Sequence, residues 1–140
     1  MATDLLRRVD VFFYGLFMDE TLLQTKGIKP QHRRLAALDN FRLAIGERAT
    51  LVPSPGETVH GVVFSLTHAE IDSLYAERSV SVYRPEAVIA KVAAEESVPA
   101  LCFNLPTPPA TSERNPQYAA QLKELAERTG LPAEYIATIA

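Results

Sequence analysis

Val11-Phe12-Phe13-Tyr14-Gly15-Leu16-Phe17-Met18-Asp19-Glu20 changes character at its midpoint, and the reading of the fold starts from that change. The first half is an apolar run of β-forming residues, the signature of a strand buried on both faces. The run breaks at Tyr14-Gly15, and a polar stretch suited to a short helix begins at Asp19. Glycine at a strand end permits a close approach by backbone or ligand. The residues after such a turn can present amide N–H groups to an anion or a developing oxyanion. The glycine fingerprints of dinucleotide and nucleoside triphosphate sites do not occur here.

Working outward, the opening strand is expected at about Val9 to Tyr14 and a short helix at Asp19 to Thr25, stopped by Gly27. Pro30 restarts the chain as extended, with a strand at Arg33 to Ala37 and a turn at Asp39-Asn40. Phe41, Leu43 and Ile45 alternate with Arg42, Ala44 and Gly46, as on a half-buried strand. Ala49 to Pro53 is β-like, and Ser54-Pro55-Gly56-Glu57 reads as a turn. Thr58 to Leu66 is the clearest strand. Thr67-His68-Ala69-Glu70 is a capping box opening a helix with Ile71, Leu74 and Tyr75 on its apolar face. Arg78 to Ser81 reads as loop. Ala87 to Ala93 and Val98 to Leu105 then form a hairpin around Glu95-Glu96-Ser97. Pro106 to Ser112 is a surface connection. Asn115-Pro116 starts a helix that Gly130 stops, and Leu131-Pro132 opens a last short one. Strands outnumber helices and are joined mostly by short turns. The expectation is one α+β domain over residues 1–140, a curved or barrel-like mixed sheet with a few short helices.

Composition narrows the function. The chain has 140 residues, 47% hydrophobic and 22% charged, with a net charge of −3. Nucleic acid and acidic lipid are therefore not expected partners. The single cysteine, Cys102, excludes an internal disulfide framework. Met1 to Arg8 is too short and polar for a secretory signal, and no apolar run approaches a membrane span. A cytoplasmic location is the expectation.

His32, His60 and His68 show no metal-ligand spacing, so the sequence gives no metal site. The Gly-x-Ser-x-Gly elbow of serine hydrolases is absent, and Cys102 lies in a strand, where it reads as core. Two segments remain: the turn at Tyr14 to Phe17, and the carboxylate-bearing stretch from Asp72 to Tyr83.

Several short motifs, in order, give the chain a family likeness. Tyr14-Gly15-Leu16-Phe17 closes the opening strand. Val59-His60-Gly61-Val62-Val63-Phe64-Ser65-Leu66 has the form Val-x-Gly-x-x-x-x-Leu. Ile71-Asp72-Ser73-Leu74-Tyr75-Ala76 leads to Tyr83-Arg84. Asn115-Pro116-Gln117-Tyr118 and Gly130-Leu131-Pro132-Ala133-Glu134-Tyr135 close the chain. In this order they resemble the γ-glutamylcyclotransferase-like (AIG2-like) proteins over almost the whole length. The resemblance implies a reaction without cofactor or metal. The α-amine of a γ-glutamyl group attacks its own side-chain carbonyl, giving 5-oxoproline and a free amine or amino acid. A glutamate moves the protons, and the Tyr-Gly turn binds the substrate. It also implies a small γ-glutamyl ligand and leaves a homodimer open.

This chain departs from the family pattern at the acid/base. In register with Asp-x-x-Glu-Gly, the glutamate position holds Tyr75 and the glycine position Ala76. The nearest carboxylate, Glu77, is two residues later, about 200° around a helix. It can serve only if the helix has ended and the loop carries it inward. Leu16 replaces a serine or threonine, and Phe103 stands where many relatives have tyrosine. The resemblance thus assigns Glu77 as acid/base and Tyr14, Gly15, Leu16, Phe17, Tyr75 and Tyr83 to substrate binding. A non-catalytic binding protein, or an enzyme of another substrate using Tyr75 or Tyr83, is the alternative on the same scaffold.

Overall fold

The computed structural model describes residues 7–93 and 95–140. The start of the Met1 to Arg8 segment therefore lies outside the described residues. The strands are β1 (Arg8–Phe13), β2 (Gln31–Ile45), β3 (Ala49–Thr67), β4 (Arg84–Ala93) and β5 (Glu96–Asn104). They close into a barrel in the order β1-β3-β2-β4-β5. All pairings are antiparallel except β1 with β5, which is parallel with Val11 opposite Leu101. The helices are α1 (Glu20–Thr25), α2 (His68–Leu74), α3 (Pro116–Thr129) and α4 (Ala133–Ile136), and a single 3-10 turn covers Leu16–Met18. The expected α+β class and mixed, barrel-like sheet are what the chain forms.

Strand β1 explains the uninterrupted apolar run. Successive side chains point to opposite faces, and here both faces are covered. Phe12 joins Leu38, Leu51, Val59, Val63, Val88, Ala90 and Cys102 inside the barrel. Val11 and Phe13 face outward into a second core with Leu23, Ile71, Leu74 and Leu122 from the helices. Burying a side chain such as Phe12, Phe64 or Leu122 contributes about 1.5–3 kcal/mol each.

The helix ends follow the caps written in the sequence. Asp19 accepts from the amides of Thr21 and Leu22. Thr67 and Glu70 form the full reciprocal capping box. Asn115 accepts from the Tyr118 amide and donates to the Gly46 carbonyl, tying α3 to the barrel. Gly130 ends α3 at φ 95°, in the left-handed region where glycine has no Cβ penalty.

Two expected turns are corrected. Asp39-Asn40 lies within β2 and Ser54-Pro55-Gly56-Glu57 within β3, so the separate strands on either side are continuous. Asp39 pairs with Thr58 and Phe41 with Pro53, which leaves Asn40 alone facing residues 54–57. Asn40 at φ 69° and Gly56 at φ 86° take the left-handed conformations. The Asn40 side-chain carbonyl accepts from the Gly56 amide at 3.1 Å. The turn chemistry is used, but to make a bulge that bends a strand pair rather than ends it.

Candidate active site

A cavity of about 330 Å³ opens at the end of β1 where the helices meet the barrel. Tyr14, Gly15, Leu16, Phe17, Tyr75, Glu77 and Tyr83, singled out from the sequence, all line it. They arrive from different elements, so the barrel and its connections assemble the site.

The turn after β1 is held by two short bonds, the Met18 amide to the Gly15 carbonyl at 3.0 Å and the Asp19 amide to the Leu16 carbonyl at 3.1 Å. As first residues of a 3-10 turn, Leu16 and Phe17 have no acceptor within it for their own amides. Gly15 is required by contact rather than by conformation. Its φ is −114°, and a Cβ there would come within 2.7 Å of the Tyr118 hydroxyl. Tyr118, from the first turn of α3, therefore forms the cavity wall above the turn.

The walls are aromatic. Tyr75 stacks on Phe103 with centroids 3.9 Å apart and ring planes 13° apart, and meets Phe17 edge-on at 6.0 Å. Tyr14 donates to the Phe103 carbonyl at 2.7 Å, and Tyr83 donates to the Ala49 carbonyl. Of the chain's five tyrosines, Tyr14, Tyr75, Tyr83 and Tyr118 line the cavity. Burial pushes the phenols of Tyr14, Tyr75 and Tyr118 up. It pushes Tyr83 up to about 12, with the Arg48 guanidinium opposing. At neutral pH these groups are hydrogen-bond donors and not bases.

Helix α2 ends at Leu74 and Tyr75 is its C-cap. The Tyr75 ring belongs to the aromatic wall. Glu77 lies beyond the helix, in the turn that follows it, and lines the cavity. Its carboxylate accepts two hydrogen bonds from Lys26 Nζ, at 2.7 and 2.9 Å. Among the described residues, no His, Cys, Asp and Glu side chains gather in a group that could hold a metal. His60 packs on Tyr135 with ring centroids 5.1 Å apart, His68 is exposed at the start of α2 and His32 is exposed on β2. None of these histidines lines the cavity.

A family model described as gamma-glutamyl cyclotransferase, AIG2-like, matches residues 11–124. The chain belongs to the AIG2-like gamma-glutamyl cyclotransferase family. Solved structures give the same fold. A gamma-glutamyl cyclotransferase superposes with a TM-score of 0.80 at 21% identity, over 96% of this chain and 89% of that one. A human protein described as uncharacterized gives 0.78 at 22% identity, over the same shares of each chain. A yeast gamma-glutamyl cyclotransferase specific to glutathione gives 0.62 at 13% identity, over 95% and 94%. No curated protein sequence matches the chain.

In this AIG2-like protein the cavity is also lined by residues outside the two segments marked by the sequence. Tyr118 was legible, because it stands in the Asn115 to Tyr118 motif. Lys26 and Arg48 also line the cavity, and neither has a sequence signal. One sits beside a helix-ending glycine, the other in the tight connection between β2 and β3.

Proposed function

We propose that this AIG2-like protein is a γ-glutamyl cyclotransferase with Glu77 as its acid/base. The observation that carries the reading is that Glu77 and the Gly15 to Phe17 turn line one cavity, although the family's glutamate position holds Tyr75. The γ-glutamyl substrate lies folded in the cavity, its α-amine facing Glu77 and its γ-carbonyl facing the turn. Glu77 removes a proton from the α-ammonium. The freed amine attacks the γ-carbon, forming a C–N bond and a tetrahedral oxyanion. The Phe17 amide and the Tyr75 and Tyr118 hydroxyls stabilise that charge. Glu77 gives that proton to the departing nitrogen as the old C–N bond breaks and the oxyanion collapses to the lactam carbonyl. Its regenerated carboxylate then takes the second proton from the ring nitrogen and passes it to the released amine. The products are 5-oxoproline and an amine. Ring closure within one molecule supplies the proximity that a second reactant would otherwise cost.

Glu77→Gln tests the reading. It keeps the shape and an acceptor oxygen but cannot take a proton. Release of 5-oxoproline from γ-glutamyl-alanine is expected to fall about 10²–10⁴-fold, with the melting temperature nearly unchanged. Turnover equal to the parent's would remove Glu77 from the mechanism.

One observation favours the alternative of binding without catalysis. Lys26 already occupies both Glu77 oxygens, so the carboxylate is engaged within the protein and is not free to meet an amine. Under that reading 5-oxoproline raises the melting temperature while no γ-glutamyl compound is turned over.

A further inference from the structure

We infer that Lys26 is a specificity-determining residue that binds the α-carboxylate of the γ-glutamyl group, so that Lys26 and Glu77 together read the zwitterionic head of an amino acid. The inference rests on the cyclotransferase reading, because it places the α-amine at Glu77.

Lys26 is held in place by its backbone. It is the C-cap of α1, and the chain after it closes a Schellman motif. The Gly27 amide bonds to Gln24, the Ile28 amide to Leu23 at 3.0 Å, and Gly27 takes φ 80°. Leu23 and Ile28 on either side are buried at 0% and 1% exposure, so the residue between them is anchored at both ends. From there the ammonium reaches across the cavity mouth to Glu77 at 2.7 Å. The Lys26 side chain is 24% exposed and that of Glu77 40%, which leaves room beside the pair for a polar ligand.

The geometry of an α-amino acid fits this pair. Its amine and carboxylate sit on one carbon, so the groups that receive them must be neighbours, as Lys26 and Glu77 are. Arg48 is also at the cavity, but its guanidinium donates to the Ser79 carbonyl and lies by Glu47. Charge gives the second argument. An ammonium arriving alone at Glu77 would meet Lys26 at close range, a like-charge contact costing more in a partly dry cavity than in water. Bringing the carboxylate with it makes the four charges alternate. Lys26 turns to the substrate's carboxylate, and Glu77 is released to act on the amine.

The test compares γ-glutamyl-alanine with the same dipeptide amidated at its glutamyl α-carboxylate, on the parent, Lys26→Met and Lys26→Arg. In the parent, amidation is expected to lower kcat/KM about 10- to 100-fold, the range of a charge-assisted hydrogen bond. Lys26→Met should lose the same factor on the unmodified dipeptide, mainly through KM, and should no longer distinguish the two. Lys26→Arg should restore most of the discrimination. Calorimetric binding of 5-oxoproline against its carboxamide gives the same comparison without turnover. A parent indifferent to amidation, or Lys26→Met that still discriminates, overturns the assignment while the cyclotransferase reading stands. A parent that neither turns over the dipeptide nor binds 5-oxoproline removes both.

Discussion

Gly15 and Tyr118 show how closely single atoms define the cavity. A methyl group on Gly15 would have to displace the phenol tip of the half-buried Tyr118. Gly15→Ala is expected to cost about 1–3 kcal/mol, the usual penalty for overpacking. Because the clash is with the hydroxyl at 2.7 Å, Tyr118→Phe in the same chain should recover part of that loss. Urea unfolding of the two single variants and the double one checks this. Additive losses would mean that the two groups do not meet. The site was only partly legible at this scale. Tyr14 to Phe17 announce themselves because a buried strand ends abruptly in glycine. Lys26 does not, because its role depends on Glu77, 51 residues away. A local pattern contains no information on that encounter.

At the scale of elements, β1 and β3 pack backbone to backbone at Gly61. A Cβ on Gly61 would lie 2.2 Å from the Phe13 carbonyl and 3.0 Å from the Phe12 ring. Backbone cannot turn aside as a side chain can, so Gly61→Ala should cost at least about 2 kcal/mol. A fall in thermal stability much smaller than that of Gly15→Ala would contradict this. The bulge opposite is milder. Asn40→Ala loses the bond to the Gly56 amide and places alanine at φ 69°, for an expected loss of about 1–2 kcal/mol in urea unfolding. Helix ends and the β4–β5 hairpin were readable because caps and alternation are local chemistry. The unbroken lengths of β2 and β3 were not. Asn40 and Gly56 look the same in a bulge as in a chain reversal, and only the partner strand decides between them.

Across the whole molecule, the buried phenols make stability depend on alkali. Tyr83 is raised from 10.0 to about 12, so above pH 10 the unfolded chain releases a proton that the folded state still holds. Stability is full below pH 10 and declines as the pH rises to about 12. Tyr14, Tyr75 and Tyr118 shift in the same direction. Urea midpoints should therefore be level up to about pH 10 and then fall, with Tyr83→Phe removing part of the slope. A midpoint that rises above pH 10 would reverse the sign argued here.

The seams of the barrel have a consequence for its motion. Strands β1, β3 and β2 form one long antiparallel sheet and β4–β5 an extended hairpin. Their register across the seams rests on Val11 with Leu101 on one side and Ala37 with Lys91 on the other. Opening of the hairpin as a unit, a sub-global unfolding separate from loss of the whole fold, is the expected first motion at these seams, and it would expose Val88, Ala90, Ala100 and Cys102. Phe103 would leave with it, taking away the surface on which Tyr75 stacks. A ligand filling the cavity therefore acts as a clasp on the barrel, and hydrogen exchange in β4 and β5 should slow when 5-oxoproline is bound.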